Sequence, residues 1–227
     1  MAEKIQIFGE RLSPFVERLY LQVKYKGLED KVEFPGLPEG GLKSEEYLGI
    51  NPLGKMPALK WGDFTLFESG VIAFFLEIEF PEKPLLPKGS KDVAIAALPL
   101  RIMDVYFYPH LGPLLQQLIS DERDEELIAR KLAEMKDCLK LIESRMTGET
   151  RIFDNIMTMT DISLFCGFFL GVKYFPVFGM EFLDETPKLE KWYEGLSKEP
   201  MFRESIEVRE KQLTEFVANL MQKKNKS

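Results

Sequence analysis

The sequence predicts an α+β domain of order β-α-β-α-β-β-α followed by an all-α domain. Three observations predict it. Strand-like and helix-like segments alternate up to about residue 80, Pro81, Pro84 and Pro87 then interrupt the chain, and beyond them only helical spacing recurs. The expected boundaries are 1–82 for the first domain, 83–90 for a linker and 91–227 for the helical domain.

Lys4-Ile5-Gln6-Ile7-Phe8 alternates polar and apolar residues, as a short strand does. A loop over 9–12 leads to Ser13-Pro14, a helix start with Ser as N-cap and Pro at the first helical position. Val16, Leu19, Tyr20 and Val23 keep helical spacing, and Gly27 ends the helix. Residues 31–34 read as a second strand and 44–48 as a short helix capped by Ser44. Residues 57–61 and 64–67 read as strands joined at Gly62-Asp63. Ser69 is expected to cap a third helix carrying Val71, Ile72, Phe75, Leu76 and Ile78.

In the second half, Leu127, Leu132, Met135, Leu139, Ile142 and Met146 form one apolar stripe. Thr158-Met159-Thr160-Asp161 precedes an apolar helix over 162–172; Thr158 or Thr160 caps it, and Asp161 adds negative charge at its positive end. Thr186-Pro187 opens a helix with Leu189, Trp192 and Leu196, and a last helix covers 206–220. Residues 90–118 look helical but contain Pro99, Pro109 and Pro113, so a break or kink is expected there.

Composition narrows the functions. Apolar residues make up 45% and charged residues 30%, ordinary for a soluble globular protein. A net charge of −7 and a pI near 5.1 argue against a nucleic-acid partner. The one basic run, 223–226, reads as a solvated tail. No run is expected to reach membrane-spanning length and the first ten residues hold no apolar signal core, so no membrane partner and a cytoplasmic location are expected. Cys138 and Cys166 read as buried thiols rather than a disulfide, and with a single histidine they build no zinc site. No metal is therefore expected. Asn225-Lys226-Ser227 has the form of a glycosylation triplet, read as meaningless without a signal peptide.

Three segments carry chemistry: Ser13-Pro14-Phe15 at a helix start, Asn51-Pro52-Leu53-Gly54-Lys55-Met56-Pro57-Ala58-Leu59, and Glu68-Ser69 opening the next helix. In this order and spacing the chain resembles the cytosolic glutathione transferases of the serine type, and Thr158–Asp161 resembles the capping box of that family's buried helix. The resemblance implies a thioredoxin-like N-terminal domain followed by an all-helical C-terminal domain. It implies a detoxifying transferase that takes glutathione as co-substrate, adds its thiolate to small hydrophobic electrophiles, and forms a homodimer.

The resemblance also implies roles for matching positions. Ser13 would hold the thiolate and Pro57 would be a cis-proline. Met56 would pair its backbone with the cysteinyl part of glutathione, as an added strand does. Glu68 and Ser69 would take the γ-glutamyl ammonium and carboxylate, Lys43 the glycine carboxylate with help from Lys55, and Phe15 belongs to the same set. Leu12, Tyr106, Phe107, His110, Leu111 and Leu114 are the expected electrophile site. Each has a plainer reading: Ser13 as a helix cap, Pro57 as a loop proline, Glu68-Ser69 as a capped turn, Lys43 as an exposed lysine, and the apolar set as core.

A hydroxyl at a helix start suits this task. A free thiol of pKa about 8.5 is about 3% thiolate at pH 7, and lowering the pKa to about 6.5 takes roughly 2.7 kcal/mol. A hydrogen bond to a charged group gives about 1.5–3 kcal/mol, and a helix N-terminus about 0.3–1. Ser13 would thus act as a donor, neither base nor nucleophile. The thiolate fraction rises about 25-fold, while a Brønsted slope near 0.45 returns about eightfold. The net factor of roughly three leaves most of the rate to positioning. Two other classes compete: a non-enzymatic ligand- or glutathione-binding protein on the same fold, and a thioredoxin-type redox protein, which lacks its cysteine pair.

Overall fold

A computed structural model describes residues 3–224, without the side chains of 119 and 220–224. The triplet 225–227, and the side chains of the basic run at 223–226, lie outside the described residues. Contacts divide the chain into two units, one of residues up to 84 together with those from 197 on, the other 85–196. The last helix, expected in the helical domain, thus groups with the sheet.

In the first unit β1 (Ile5–Phe8) leads to α1 (Pro14–Lys26), β2 (Val32–Gly36), a 3-10 turn at Gly41–Lys43 and α2 (Glu45–Ile50). The hairpin of β3 (Ala58–Trp61) and β4 (Phe64–Phe67) follows, then α3 (Ser69–Glu79). The strand order is β2-β1-β3-β4, with β1 and β2 parallel and the other two pairings antiparallel. This is the thioredoxin-like arrangement. Gly27 ends α1 at φ 70, a conformation that only glycine enters without steric cost, and its N–H returns to the Val23 and Lys24 carbonyls. Phe8, Tyr47, Ile50 and Ala58 form a core cluster that seats α2 against β1 and β3. Lys26 and Glu77 join α1 to α3 through a buried ion pair of 2.8 Å.

The second unit holds α4 (Ser90–Ile102), α5 (Tyr108–Ile119), α6 (Glu125–Glu143), α7 (Met159–Tyr174) and α8 (Pro187–Ser197). The disturbance expected from the prolines takes a specific form: Met103–Phe107 is a π-helical turn between α4 and α5. Pro109 lies in the first turn of α5, directly after the π-helical turn, while Pro99 and Pro113 sit inside their helices. A Cβ on Gly167 would collide with the Met103 and Tyr108 side chains, so the bare Gly167 is what lets these side chains close on α7. The buried stripe of α6 is Ile128, Leu132, Met135, Leu139 and Ile142, one position away from the expected start at Leu127.

The expectation that no run reaches membrane-spanning length is corrected. Met159–Phe178 is long and apolar enough to cross a membrane by length and composition, but 67% of that window is buried inside the protein, the place of a core helix. Thr158, not Thr160, caps it: the Thr158 side chain accepts from the Asp161 N–H, while Thr160 Oγ1 donates to the Ala96 carbonyl. Cys166 is buried in this helix and Cys138 is half-buried, and neither is in a disulfide.

The last helix, α9 (Pro200–Lys224), starts earlier and ends later than the 206–220 expected, and packs on α1 within the first unit.

Asp161 is the centre of the second unit's polar core. Its buried carboxylate accepts from the Ile152 N–H at 2.8 Å, Trp192 Nε1 at 2.9 Å, and the Thr158 N–H and hydroxyl at 3.0 and 2.6 Å. Asp161→Ala strands these buried donors. It should lower stability by at least about 3 kcal/mol, read as an earlier midpoint in urea unfolding.

Candidate active site

Register brings the chemical residues to one edge of the sheet. Phe8, the last residue of β1, stands opposite Gly36, the last of β2, and opposite Ala58, the first of β3. Ala58 in turn stands opposite Phe67, the last of β4. The segments leaving this row are the 9–13 loop with Ser13, the turn with Lys43, the 51–57 loop with Lys55, Met56 and Pro57, and the start of α3 with Glu68 and Ser69. Open sheets bind ligands at such an edge.

Ser13 has the N-cap position of α1, and its carbonyl accepts from the Val16 and Glu17 N–H groups. Its hydroxyl makes no capping hydrogen bond, so the helix-cap reading of this side chain is set aside. Ser44, by contrast, spends its hydroxyl on capping, accepting from Tyr47 N at 3.2 Å.

The 51–57 loop is braced from within. Asn51 Nδ2 and the Tyr47 hydroxyl both donate to the Lys55 carbonyl, at 2.6 and 2.7 Å, and Asn51 Oδ1 accepts from Leu53 N. Burial pushes the Tyr47 phenol up to about 12, so it remains a donor. The Met56–Pro57 peptide is cis, as expected. Met56 Sδ accepts from the Glu10 N–H at 3.4 Å, and a Cβ on Gly9 would meet the Met56 Cβ at 3.1 Å, so this loop lies against the one carrying Ser13. Lys43 is exposed, and its ammonium lies where a Cβ on Gly54 would stand, 2.8 Å away.

Glu68, rather than Ser69, is the N-cap of α3, and Ser69 is the first helical residue. Glu68 is exposed and holds φ 70 and ψ 107 without a capping bond from its side chain. A non-glycine residue there costs on the order of 1–3 kcal/mol, and such strain concentrates at functional sites. The bracing roles of Asn51 and Tyr47 and the backbone conformation of Glu68 were not read from the sequence, where Asn51 stood only as the first residue of its motif and Glu68 only as a side-chain ligand. Only the asparagine carried a signal, as a loop residue able to bond its own backbone.

The expected electrophile set divides. Phe107, Leu111 and Leu114 are buried in the second unit, Phe107 edge-on to Tyr108 and Phe182. Tyr106, on the π-helical turn, is 59% exposed. His110 is half-buried, with Nδ1 at 3.0 Å from Glu134 and 3.1 Å from the Lys131 ammonium. Leu12 and Phe15 are half-buried in the first unit. Cys138 donates to the Tyr106 carbonyl; burial first, then Asp137 and Glu134, pushes its thiol up and away from thiolate chemistry. Among the described residues no group of three or more metal-ligating side chains gathers.

Comparison with known proteins places the chain in a family. The model of the glutathione S-transferase N-terminal domain matches residues 12–78, and that of the C-terminal domain matches 95–200. A glutathione S-transferase of Arabidopsis thaliana is 26% identical over 205 residues, covering 86% of this chain and 96% of the relative. Glutathione S-transferase 4 of Zea mays is 26% identical over 215 residues, covering 86% and 89%. Among solved structures, a Populus trichocarpa glutathione transferase superposes with a TM-score of 0.77 at 19% identity, covering 91% of this chain and 99% of that one. A Phanerochaete chrysosporium glutathione transferase solved with oxidized glutathione gives 0.78 at 18%, covering 94% and 98%. The chain therefore belongs to the glutathione S-transferase family of enzymes.

Proposed function

We propose that this chain binds glutathione along the sheet edge and uses the Ser13 hydroxyl to stabilise its thiolate for attack on small hydrophobic electrophiles. The observation that carries the reading is a hydroxyl at a helix N-terminus that the helix itself does not use. Glu68 and the opening turn of α3 take the γ-glutamyl end, the Met56 backbone the cysteinyl part, and Lys43, with Lys55, the glycine carboxylate. Phe15 completes the set. Leu12 in the first unit keeps surface with which to touch an electrophile, as do Tyr106 and His110 in the second, where Phe107, Leu111 and Leu114 form the core. The cytoplasm is the proposed location.

A homodimer is part of the same proposal. Val71, Phe74 and Ile78 expose 51%, 50% and 64% of their surface at i, i+3, i+7 spacing on α3, and Ile95 and Leu98 expose 47% and 45% on α4. Large apolar side chains left in water along one helix face fit a subunit contact.

Ser13→Ala should lower kcat/KM with a reactive aryl halide by about 10- to 100-fold, about threefold of it from lost thiolate and the rest from lost aim of the sulfur, with little change in glutathione affinity. Undiminished turnover by that variant refutes the role given to Ser13. Glu68→Gly relieves the backbone strain yet removes a ligand for the ammonium. The KM for glutathione should rise roughly tenfold, while the thermal midpoint stays level or increases. Phe74→Glu should convert the dimer to monomer in light scattering; a wild-type chain that already runs as a monomer removes the dimer from the proposal.

A further inference from the structure

The last helix reaches the loop that carries Ser13. Along α9, Phe202, Ser205 and Arg209 are fully buried at i, i+3, i+7 spacing, so a serine and an arginine occupy positions that a helix packed on α1 would ordinarily give to apolar residues. Both polar groups are aimed at one place. The Ser205 hydroxyl donates to Glu17 Oε1 at 2.6 Å. Arg209 Nη2 donates to the carbonyl of Leu12, the residue before Ser13, at 3.3 Å.

Glu17 is the hub of this arrangement. It lies on the first turn of α1, is fully buried, and receives Arg11 through two bonds of 2.8 Å, from Nε and Nη2. Arg11 is itself a loop residue, and its guanidinium lies 3.5 Å from the centre of the Tyr20 ring. The loop is therefore clamped at two successive residues. Arg11 is tied to α1 through Glu17, whose carboxylate is in turn tied to α9; Leu12 is tied to α9 directly. Two buried charges and a hydroxyl are a costly way to hold two helices together, since desolvation offsets most of the attraction. They do hold the backbone at 11–12 in one place.

We propose that Glu17, Ser205 and Arg209 are positioning residues for Ser13: α9 fixes the height and angle at which the hydroxyl meets the glutathione sulfur. This rests on the thiolate role given to Ser13 above. The hydrogen bond that lowers a thiol pKa depends steeply on distance and angle. A displacement of about 1 Å at a reacting group can cost about a hundredfold in rate. Ser205 and Arg209 touch neither glutathione nor electrophile in this scheme and act through the loop alone.

The test is the titration of enzyme-bound glutathione, followed by the ultraviolet absorbance of its thiolate, beside the pH profile of kcat. Three variants of the full chain are compared with Ser13→Ala: Ser205→Ala, Arg209→Met and Arg209→Lys. Ser205→Ala and Arg209→Met should raise the midpoint of thiolate formation by about half a unit or more and lower kcat about tenfold, with the KM for glutathione within about twofold of wild type. Arg209→Lys keeps a donor for the Leu12 carbonyl and should recover part of the shift. Ser205→Ala is a small change that folds even if Arg209→Met does not. Loss of thermal stability with an unmoved thiolate midpoint in Ser205→Ala overturns the proposal and leaves these residues as packing. If Ser13→Ala itself keeps the wild-type midpoint, the thiolate role of Ser13 fails, which is a separate result from failure of the clamp.

Discussion

The site depends on one row of paired strand residues, Gly36–Phe8–Ala58–Phe67. Parallel pairing of β1 with β2 puts both of their C-terminal ends at this row, and antiparallel pairing puts the start of β3 and the end of β4 there too. Segments distant in sequence thus leave the sheet side by side. A slip of one residue in any pairing would turn every side chain of that strand to the other face. Ala58 and Phe8 would leave the cluster they form with Tyr47 and Ile50. The core that fixes the register is therefore the same core that aligns the chemistry.

What was legible in the sequence follows from the range of the forces involved. Alternation, helical spacing and Gly27 are local signals, and in the first seven elements the bounds they mark fall within two residues of expectation, while α9 starts six residues earlier and ends four later. The site motifs were legible because each is short and contiguous, with its geometry set by its own backbone. The π-helical turn was legible only as trouble at three prolines; its close approach to α7 depends on Gly167, which no local pattern links to Met103 or Tyr108. The cap of α3 fell one residue early because Ser69 is the better cap by type, while the chain spends a strained Glu68 there instead. The length of Met159–Phe178 was underestimated because one lysine and one aspartate mask an otherwise apolar run.

The bonds from α9 to the loop were illegible for a different reason. Glu17 and Ser205 are 188 residues apart, and Leu12 and Arg209 are 197 apart. Glu17, Ser205 and Arg209, taken singly, are polar types that ordinarily sit on a helix surface. Only the burial of all three polar side chains shows that they answer one another. The grouping of α9 with the sheet, against the expectation from the proline-rich boundary, has the same origin: the boundary marks where the local pattern changes, and contacts decide which unit a later helix joins.

The two serines at helix starts differ in what their hydroxyls do for their helices, and the difference bears on the donor role proposed for Ser13. Ser44 and Ser13 share the extended backbone of an N-cap, with ψ 150 and 124. Ser44 turns its hydroxyl onto its own helix, which is six residues long and needs that bond. The thirteen-residue α1 is held instead by burial of Val16, Leu19, Leu21 and Val23 and by Pro14 at its first position, and it can leave its cap hydroxyl uncommitted. A cap bond is worth about 1 kcal/mol, comparable to what a donor contributes to a thiolate. A hydroxyl committed to the helix would have to break that bond before serving the sulfur, and the differential stabilisation would be correspondingly smaller. Stability supplied by packing elsewhere in α1 is thus what leaves Ser13 available as a donor.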